Sequence, residues 1–411
     1  MLPEGDIPKF VLIQLKEIAE KLNYINCSIE RLCARDGYVS SLSRFKILGQ
    51  LKDTQLPVSI TLICKTLPTS DSRIKMLNSV ESFEREVYFY TKVLPILEQF
   101  QRERLANAED GFVAYPKCFV AKRVDNQIII ILEDLRVSGY EVWNRDNQVT
   151  FETASIVMRQ LGKFHAVSFA LRDQCPEIME EFSNEMTDML VFLYKNCYGK
   201  ITREAFNKAV DHVDDPVALS VLTKLKEKFL PVLEEICRKN AAGVCGVIGH
   251  GDFYENNILF RYDEKAVTSV AFLDFQFVRV GSPAFDICYY LLTSTNPKVR
   301  QNYDKLLHTY HESLQTLVRK LGSDANKLFS YNDLVNQMTK FGKYGVIFMP
   351  FLLQITLAKP NECVNLDDIE NDEQALHLFR FSDETKGKFK NALEWGINDA
   401  VKFGWIKPDE I

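Results

Sequence analysis

The sequence predicts an α+β protein with a small β-rich lobe followed by a larger, mainly helical lobe. Short runs of aliphatic and β-branched residues dominate residues 27–132, which is typical of strands. Beyond them, apolar residues recur mostly at steps of three and four, as on one face of a helix. Two further β-like runs interrupt the helical part between residues 243 and 280. We therefore expect residues 1–133 to form the first lobe and residues 134–411 the second.

The first lobe is expected to begin with a helix and to continue as antiparallel strands. Phe45–Leu48 and Val58–Ile63 are apolar runs separated by a turn-like segment, which is typical of a β-hairpin. The purely apolar run Ile128–Leu132 favours a strand that is buried on both faces. In chain order, the expected elements are a helix at 7–23, strands at 45–48 and 58–63, a helix at 79–99, and strands at 113–124 and 127–132.

The second lobe is predicted to consist of long helices around two short strands. The apolar stretch Tyr344–Ala358 contains Pro350 and Gln354 and falls short of the roughly 20 residues that span a bilayer. It therefore predicts a buried helix and no membrane insertion. The runs Asn257–Arg261 and Val267–Phe275 flank a turn and predict the strands. The expected helices are 153–171, 205–238, 301–320, 333–358 and 384–401.

Charge and cysteine usage exclude several classes of protein. The net charge of −6 and the isoelectric point near 5.7 argue against a nucleic-acid-binding platform, which normally carries a basic excess. The ten cysteines include no C-x-x-C pair and no spacing typical of a zinc site. Scattered cysteines suit a reducing compartment, and the N-terminus lacks the profile of a signal peptide. We therefore expect a cytoplasmic protein.

One segment of the second lobe carries the pattern of a kinase catalytic loop. His250, Asp252 and Asn257 follow the spacing H-x-D-x-x-x-x-N. In this pattern the Asp accepts the proton of the substrate hydroxyl and the Asn holds Mg²⁺, so both must lie on one rigid loop. We therefore predict Asp252 and His250 as catalytic residues and Asn257 as a metal ligand.

A second metal ligand is predicted at the end of the next apolar strand. Asp274 lies in the segment Leu273–Gln276, where a kinase places the aspartate of its D-F-G motif. Either motif alone is more often an ordinary loop. In this order, and between strand-like runs, the two together predict a protein-kinase-like, two-lobed fold with ATP and Mg²⁺ as cofactors.

The first lobe should then supply a lysine that reaches the phosphates of ATP and a glutamate that holds this lysine. Lys65 ends an apolar strand, which is the expected place for the lysine. The helix that follows offers Glu84 and Glu86, of which we select Glu86. A solvent-exposed helix face is the alternative interpretation for both glutamates.

Two further segments are candidates for holding the nucleotide. Backbone groups near Glu133 and Leu135, at the junction of the two lobes, are placed to hydrogen-bond adenine. No glycine-rich phosphate loop of known pattern occurs where one is needed. Gly37, Ser40 and Ser41, before the first strand of the hairpin, are the candidate phosphate contacts, and an ordinary hairpin turn is the alternative.

Two buried-looking polar residues have structural interpretations. Asp286 opens an apolar helix, where it is expected to be either an N-cap or a buried brace for the catalytic loop. His165, on the helix 153–171, is expected to be a hydrogen-bonded core histidine rather than a ligand.

With these residues, the chain resembles the ecdysteroid kinase-like (CHK kinase-like) family of insect proteins, a relative of choline kinases and aminoglycoside phosphotransferases. The resemblance implies a protein-kinase-like fold and transfer of the ATP γ-phosphate to a hydroxyl of a small-molecule alcohol. It suggests ecdysteroids or other hydroxylated lipophilic compounds as acceptors, including xenobiotics that are detoxified in this way. The matching segments, in family order, are 65–68, 83–95, 133–135, 162–166, 250–257, 273–276 and 283–286.

Three other functions compete with this interpretation. A protein kinase would need H-R-D and D-F-G, whereas Gly251 and Gln276 replace the Arg and the Gly. A kinase-like binding protein without activity is the non-enzyme alternative. A choline or aminoglycoside kinase would need carboxylates or aromatic cages for a cationic acceptor. The segment 182–198 offers Glu185 and Asp188 but is otherwise rich in aromatic residues and Met, so a hydrophobic alcohol fits it better, unless it simply packs into the core.

Overall fold

Five antiparallel strands form the sheet of the N-terminal lobe in the computed structural model of the chain, in the order β1-β2-β3-β5-β4. The structure describes residues 7–32, 41–68, 70, 74–75, 78–145, 147–364, 374, 376 and 378–411. The strands are β1 Tyr24–Leu32, β2 Ser41–Leu51, β3 Pro57–Thr66, β4 Cys118–Val124 and β5 Gln127–Glu133. The predicted hairpin is present as β2 and β3, and β1 extends the sheet beyond it.

Strand β5 is buried on both faces, as its apolar sequence predicts. Ile129 and Ile131 point to one face, where they join the apolar side of the first helix, α1 (Lys9–Lys21). Ile128 and Ile130 point to the other face and belong to the main hydrophobic core, which continues into the second lobe. The period of two along a strand explains this division. One short strand therefore links the packing of both lobes.

A bent helical segment crosses the lobe beside the sheet. It consists of α2 (Ser79–Tyr88), one wider helical turn (Phe89–Val93) and α3 (Leu94–Arg102). The wide turn keeps Phe89, Tyr90 and Val93 buried before the chain continues into α3. The buried face of α2 brings Glu86 toward the sheet.

Helices dominate the C-terminal lobe, with two small sheets between them. One sheet has the order β6-β8-β9 and the other pairs β7 with β10. The strands are β6 Tyr140–Val142, β7 Val247–Gly249, β8 Ile258–Asp263, β9 Ala266–Phe272 and β10 Arg279–Gly281. The helices are α4 Phe151–Gln174, α5 Pro176–Glu185, α6 Met189–Leu193, α7 Gly199–His212, α8 Pro216–Ile236, α9 Ala284–Ser294, α10 Pro297–Arg300, α11 Tyr303–Lys320, α12 Ala325–Leu328, α13 Tyr331–Phe341, α14 Lys343–Leu357 and α15 Asp383–Lys402.

Two long predicted helices are each divided in the structure. The predicted helix 205–238 is α7 and α8, because Asp215 caps the amides of Val217 and Ala218 and Pro216 starts a new helix. The predicted helix 333–358 breaks at Gly342, where a side chain would overlap Trp405. The predicted strand 113–124 begins only at Cys118.

The predicted α+β class, a two-lobed protein-kinase-like fold, is confirmed by this arrangement of a small antiparallel sheet and a large helical lobe. The predicted boundary between residues 133 and 134 falls at the end of β5 and stays a prediction. Within the described ranges, none of the helices combines the length and the apolar character that crossing a membrane requires.

Candidate active site

The candidate catalytic loop, His250–Asn257, connects β7 to β8 and is held in one conformation by its backbone. Gly251 has a φ of +85°, in the left-handed region that favours glycine. A Cβ at this position would overlap the carbonyl oxygen of Phe277, which lies just after Asp274. The loop therefore packs directly against the segment that carries the second predicted metal ligand.

The carboxylate of Asp252 is held by two hydrogen bonds. The hydroxyl of Tyr289 donates to Oδ1 at 2.6 Å, and Nδ2 of Asn257 donates to Oδ2 at 2.9 Å. Burial raises the pKa of Asp252 to about 7, the nearby charge of Asp274 adds to the rise, and the two donors oppose it. A carboxylate with a pKa near neutrality is suited to taking up a proton at physiological pH.

His250 is fully buried, which argues against the catalytic role predicted for it. Its Nε2 lies 2.7 Å from the carbonyl oxygen of Leu273, and its Nδ1 accepts from the backbone amide of Asp252 at 3.3 Å. Burial also lowers the pKa of His250, which favours the neutral ring that these two contacts require. These two contacts let His250 position the loop, and the catalytic role predicted for it stays a prediction.

Asp286 holds the catalytic loop by accepting hydrogen bonds from two of its backbone amides. Its Oδ2 accepts from the backbone amide of His250 at 2.7 Å, and its Oδ1 accepts from the amide of Gly251 at 3.0 Å. His165, also fully buried, bonds to Oδ2 through Nε2 at 3.0 Å and to the hydroxyl of Tyr310 through Nδ1 at 2.8 Å. Although burial would raise the pKa of Asp286, these donors hold it below its ordinary value. Of the two interpretations, the brace is confirmed, and His165 is a core histidine as predicted.

We expect Asp286→Asn to lower the free energy of unfolding by about 2–3 kcal/mol. The two carboxylate oxygens of Asp286 accept from the amides of His250 and Gly251 and from the ring of His165, whereas an amide side chain has only one acceptor oxygen. Urea denaturation of the purified variant measures this loss. Asp304→Asn, at an exposed position in the first turn of α11, is the matched control and should change stability by less than about 0.5 kcal/mol. Equal effects of the two substitutions would contradict the bracing role.

Lys65, Glu86 and Asp274 meet between the two lobes. Nζ of Lys65 lies 2.6 Å from Oε2 of Glu86 and 2.8 Å from Oδ1 of Asp274. Burial would lower the pKa of Lys65, but the two carboxylates raise it above its ordinary value, so the lysine is charged. Burial raises the pKa of Glu86, and the ammonium group opposes part of that rise. The predicted pairing with Glu86 is present, whereas Glu84 pairs with Arg123 at the surface.

The β8–β9 hairpin brings the two predicted metal ligands together. The backbone amide of Leu273 donates to the carbonyl oxygen of Asn257 at 2.8 Å, and Asp274 follows directly. Asn257 uses its amide nitrogen for Asp252, which leaves its amide oxygen as the ligand atom. The described residues contain no cluster of three His, Cys, Asp or Glu side chains for a metal. An amide oxygen with one carboxylate nevertheless fits Mg²⁺, which commonly takes its other ligands from phosphates and water.

The junction of the lobes carries the residues predicted to hold adenine. Glu133 ends β5, and the side chain of Asp134 accepts hydrogen bonds from Arg44 in β2 and from Arg136. Leu135 begins a short helical turn and packs on the β8–β9 sheet. The first amide of such a turn has no partner within it and is placed to bind a ligand. Asp134, which the sequence did not single out, is the residue that fixes this junction.

The candidate phosphate contacts are only partly within the described chain. Ser41 is the first residue of β2 and lies opposite Thr66, so that the next residue, Leu42, lies opposite Lys65. This register places Ser41 at the end of the strand pair beside the lysine. Gly37 and Ser40 lie outside the described residues.

A match to a known family establishes which family the chain belongs to. The ecdysteroid kinase-like family model matches residues 34–323. The chain belongs to the ecdysteroid kinase-like family. This range contains every residue of the candidate site, from Gly37 to Asp286, and membership makes the chain part of a small-molecule kinase family. No curated protein sequence gives a significant match.

Solved structures related to this ecdysteroid kinase-like protein are distant. Ethanolamine kinase of Plasmodium vivax is 11% identical, with a TM-score of 0.40 and coverage of 98% of this chain and 90% of that one. A GDP complex of aminoglycoside 2'-phosphotransferase-IIIa is 14% identical, with a TM-score of 0.40 and coverage of 94% and 98%. An ADP and streptomycin complex of an aminoglycoside phosphotransferase from Streptomyces rimosus is 12% identical, with a TM-score of 0.37 and coverage of 77% and 100%.

Sequence reasoning missed three aromatic side chains near Asp252 of this ecdysteroid kinase-like protein: Tyr289, Tyr344 and Phe348. Tyr194 and Tyr198 lie in the segment 182–198, which the sequence did single out. Tyr289 lies three residues after Asp286 on α9, so both side chains face the catalytic loop. That spacing was the available signal. We call the contiguous set beside Asp252 the aromatic cluster; ring distances between its neighbours run from 4.5 to 5.9 Å. Its members are Tyr194, Tyr198, Tyr289, Tyr344 and Phe348.

Proposed function

We propose that this protein transfers the γ-phosphate of ATP to a hydroxyl group of a small molecule. The observation that carries the proposal is the assembly of Asp252 and Asn257 on one braced loop, next to Lys65 and Asp274. A suitable base, a buried cation and two oxygen ligands occur together, and they suit a phosphoryl transfer that depends on positioning and charge neutralisation. Membership of a kinase-like family supports the same reaction.

In this proposal Asp252 is the catalytic base. Its carboxylate accepts the proton of the acceptor hydroxyl as the oxygen forms its bond to phosphorus and ADP leaves. Tyr289 and Asn257 orient the carboxylate by donating to both of its oxygen atoms. Lys65 contributes a fixed positive charge for the phosphates, and Glu86 holds the lysine in place. Backbone groups of Glu133 and Leu135 bind adenine, and Gly37, Ser40 and Ser41 approach the phosphates.

We assign Mg²⁺ to Asn257 and Asp274. Bound there, the ion would neutralise charge on the phosphate oxygens. Asp274 is already half-exposed toward the cleft, with 28% of its side chain accessible, whereas Lys65 and Glu86 are buried. The carboxylate is therefore the member of the triad that is open to a ligand from the cleft.

We propose a lipophilic alcohol, such as an ecdysteroid, as the acceptor. The aromatic cluster supports this choice because the side chains that it places beside Asp252 are rings and not carboxylates. Four of its rings are buried, and that of Tyr198 is half-buried. Asp188 is ion-paired with Arg279 at 3.3 Å and is not a free charge for a cationic acceptor. Phe182, Met186 and Tyr194 are all buried in the core. Of the aromatic and Met residues in the segment 182–198, Met189, Phe192 and Tyr198 are at least partly exposed and remain available to line a pocket.

We expect kcat/KM for an ecdysteroid to exceed that for choline or an aminoglycoside by at least about tenfold, since each 100 Å² of buried apolar surface contributes about 2.5 kcal/mol. ADP release with one enzyme preparation at fixed Mg·ATP makes the comparison. Phe348→Leu should reduce the activity toward the lipophilic acceptor by a larger factor than the activity toward choline; a loss common to both acceptors would come from its packing on Tyr289. Phe351→Leu, three residues along the same helix and outside the aromatic cluster, is its matched control.

A preference for the cationic acceptors would overturn the choice of acceptor and leave the kinase proposal standing. Nucleotide binding without ADP release for any acceptor would indicate a kinase-like binding protein instead.

We further propose that residues 1–133 and 134–411 act as the two lobes of one cytoplasmic enzyme. No disulfide joins the cysteines of the described ranges, which is consistent with that compartment.

A further inference from the structure

A cavity of about 350 Å³ lies in the C-terminal lobe. Its walls come from the end of α4, from α5, from the chain that follows α8, and from β10. Asp252, Asn257, Asp274, Lys65 and Glu86 are all absent from its lining. The site described above therefore leaves this cavity without a role.

A buried arginine forms part of the cavity wall. Arg279 is 3% exposed, and neither of its terminal nitrogen atoms makes a hydrogen bond within the described part of the chain. Nη1 lies 3.3 Å from Oδ2 of Asp188, and the guanidinium packs 4.8 Å from the ring centre of Phe285. The guanidinium also packs 4.9 Å from the ring centre of Tyr344. The ion pair with Asp188 and these two rings hold a buried positive charge at the cavity wall.

The remaining charges of the wall favour an anion. Arg172 donates through Nη1 to the carbonyl oxygen of Val244 at 2.9 Å and forms no ion pair with a described residue. Arg238 and Lys239 also line the cavity, against the two carboxylates of Glu180 and Asp188. Four cations and two anions leave a formal charge of +2 on the wall. A phosphate monoester carries about −1.5 to −2 at neutral pH and matches this excess better than a carboxylate does.

The rest of the wall is suited to the organic part of such a ligand. Met179, Ile236, Val280 and Phe285 supply apolar surface next to the cationic side chains. A volume of about 350 Å³ is at the lower end of the range for small-molecule sites. We propose that this cavity is a second binding site, specific for a small organic phosphate monoester and distinct from the proposed nucleotide and metal site. This site does not depend on the proposed kinase activity.

Calorimetric titration of the full chain with phenyl phosphate, in EDTA and without nucleotide, tests the proposal. We expect phenyl phosphate to bind at least about tenfold more tightly than benzoate and phenol to show no binding. Arg172→Gln should weaken phenyl phosphate binding at least tenfold. Arg104→Gln is the matched control, because Arg104 also donates to a main-chain oxygen, at 3.0 Å, but lies outside the cavity.

Two further variants keep the result interpretable. Arg279→Gln removes the buried guanidinium directly, but this loss can also unfold the lobe. If Arg279→Gln does not fold, Arg172→Gln alone tests the proposal. Lys65→Met alters the candidate nucleotide site and should leave phenyl phosphate binding unchanged. The proposal is overturned if wild type does not bind phenyl phosphate, or if binding is lost in Lys65→Met and kept in Arg172→Gln.

Discussion

Asp252→Asn is expected to lower kcat by about 10²-fold or more, because the amide keeps the shape of the side chain but cannot accept a proton. Both oxygen atoms of Asp252 already accept hydrogen bonds, from Tyr289 and Asn257. In the variant, the amide oxygen can still accept from Asn257, and the hydroxyl of Tyr289 can turn to accept from the amide nitrogen. The side chain can therefore keep its position while it loses its basicity. Steady-state ADP release with the best acceptor, together with the dissociation constant of ATP, measures the two effects separately.

The affinity for ATP should change little in this variant. Asp263→Asn, an exposed aspartate in the adjoining β8–β9 hairpin, is the matched control and should retain wild-type kcat. Tyr289→Phe should give a smaller loss than Asp252→Asn, since it removes one of the two donors that orient the carboxylate. If Asp252→Asn turned over at a near-wild-type rate, Asp252 would lose its role as base.

Asp274→Ala should abolish phosphoryl transfer and remove the Mg²⁺ dependence of ATP binding. The carboxylate is the only charged ligand proposed for the ion, and it is also the cleft-side partner of Lys65. Affinity for the nucleoside should survive, because the adenine contacts at the lobe junction are independent of the ion. Titration of ATP and adenosine with and without Mg²⁺ makes the comparison.

Asp274 has a φ of +65°, so its replacement also alters a strained backbone position. Asp125→Ala is the matched control, because Asp125 has a φ of +53° in the exposed β4–β5 turn. Any loss of stability that both variants share is due to placing alanine at a left-handed backbone position. Equal Mg²⁺ dependence of ATP binding in wild type and Asp274→Ala would exclude Asp274 as a metal ligand.

The sequence predicted the parts of the site that depend on chain order and spacing. Asn257 directly precedes β8 and Asp274 follows the end of β9, so the pairing of these two neighbouring strands brings both residues together. The predicted contact of Lys65 with Glu86, and not with Glu84, is present because Glu86 lies on the buried face of α2. Strand β5 was recognised because its burial on both faces leaves an uninterrupted apolar run.

What the sequence left undetected depends on packing between distant segments. The contacts of Asp286 with His165 join α9 to α4, and Tyr310 adds α11. Such contacts are fixed by how helices pack and leave no local pattern. The divisions at Asp215 and Gly342 were missed for a related reason, since apolar spacing continues across each break. His250 was assigned to catalysis by its motif, and its complete burial, which the motif does not encode, favours a positioning role.

The close approach of Gly251 to Phe277 has a consequence for regulation. Many protein kinases carry an arginine at this place in the loop, and their activation loops are ordered by phosphate–arginine pairs. Here no side chain fits, because the carbonyl oxygen of Phe277 occupies the space and the backbone is left-handed. The Lys65–Glu86 pair is also already formed. In the proposed kinase, a phosphate–arginine pair at this position is therefore ruled out by the backbone itself, and the lysine is held ready before any such event.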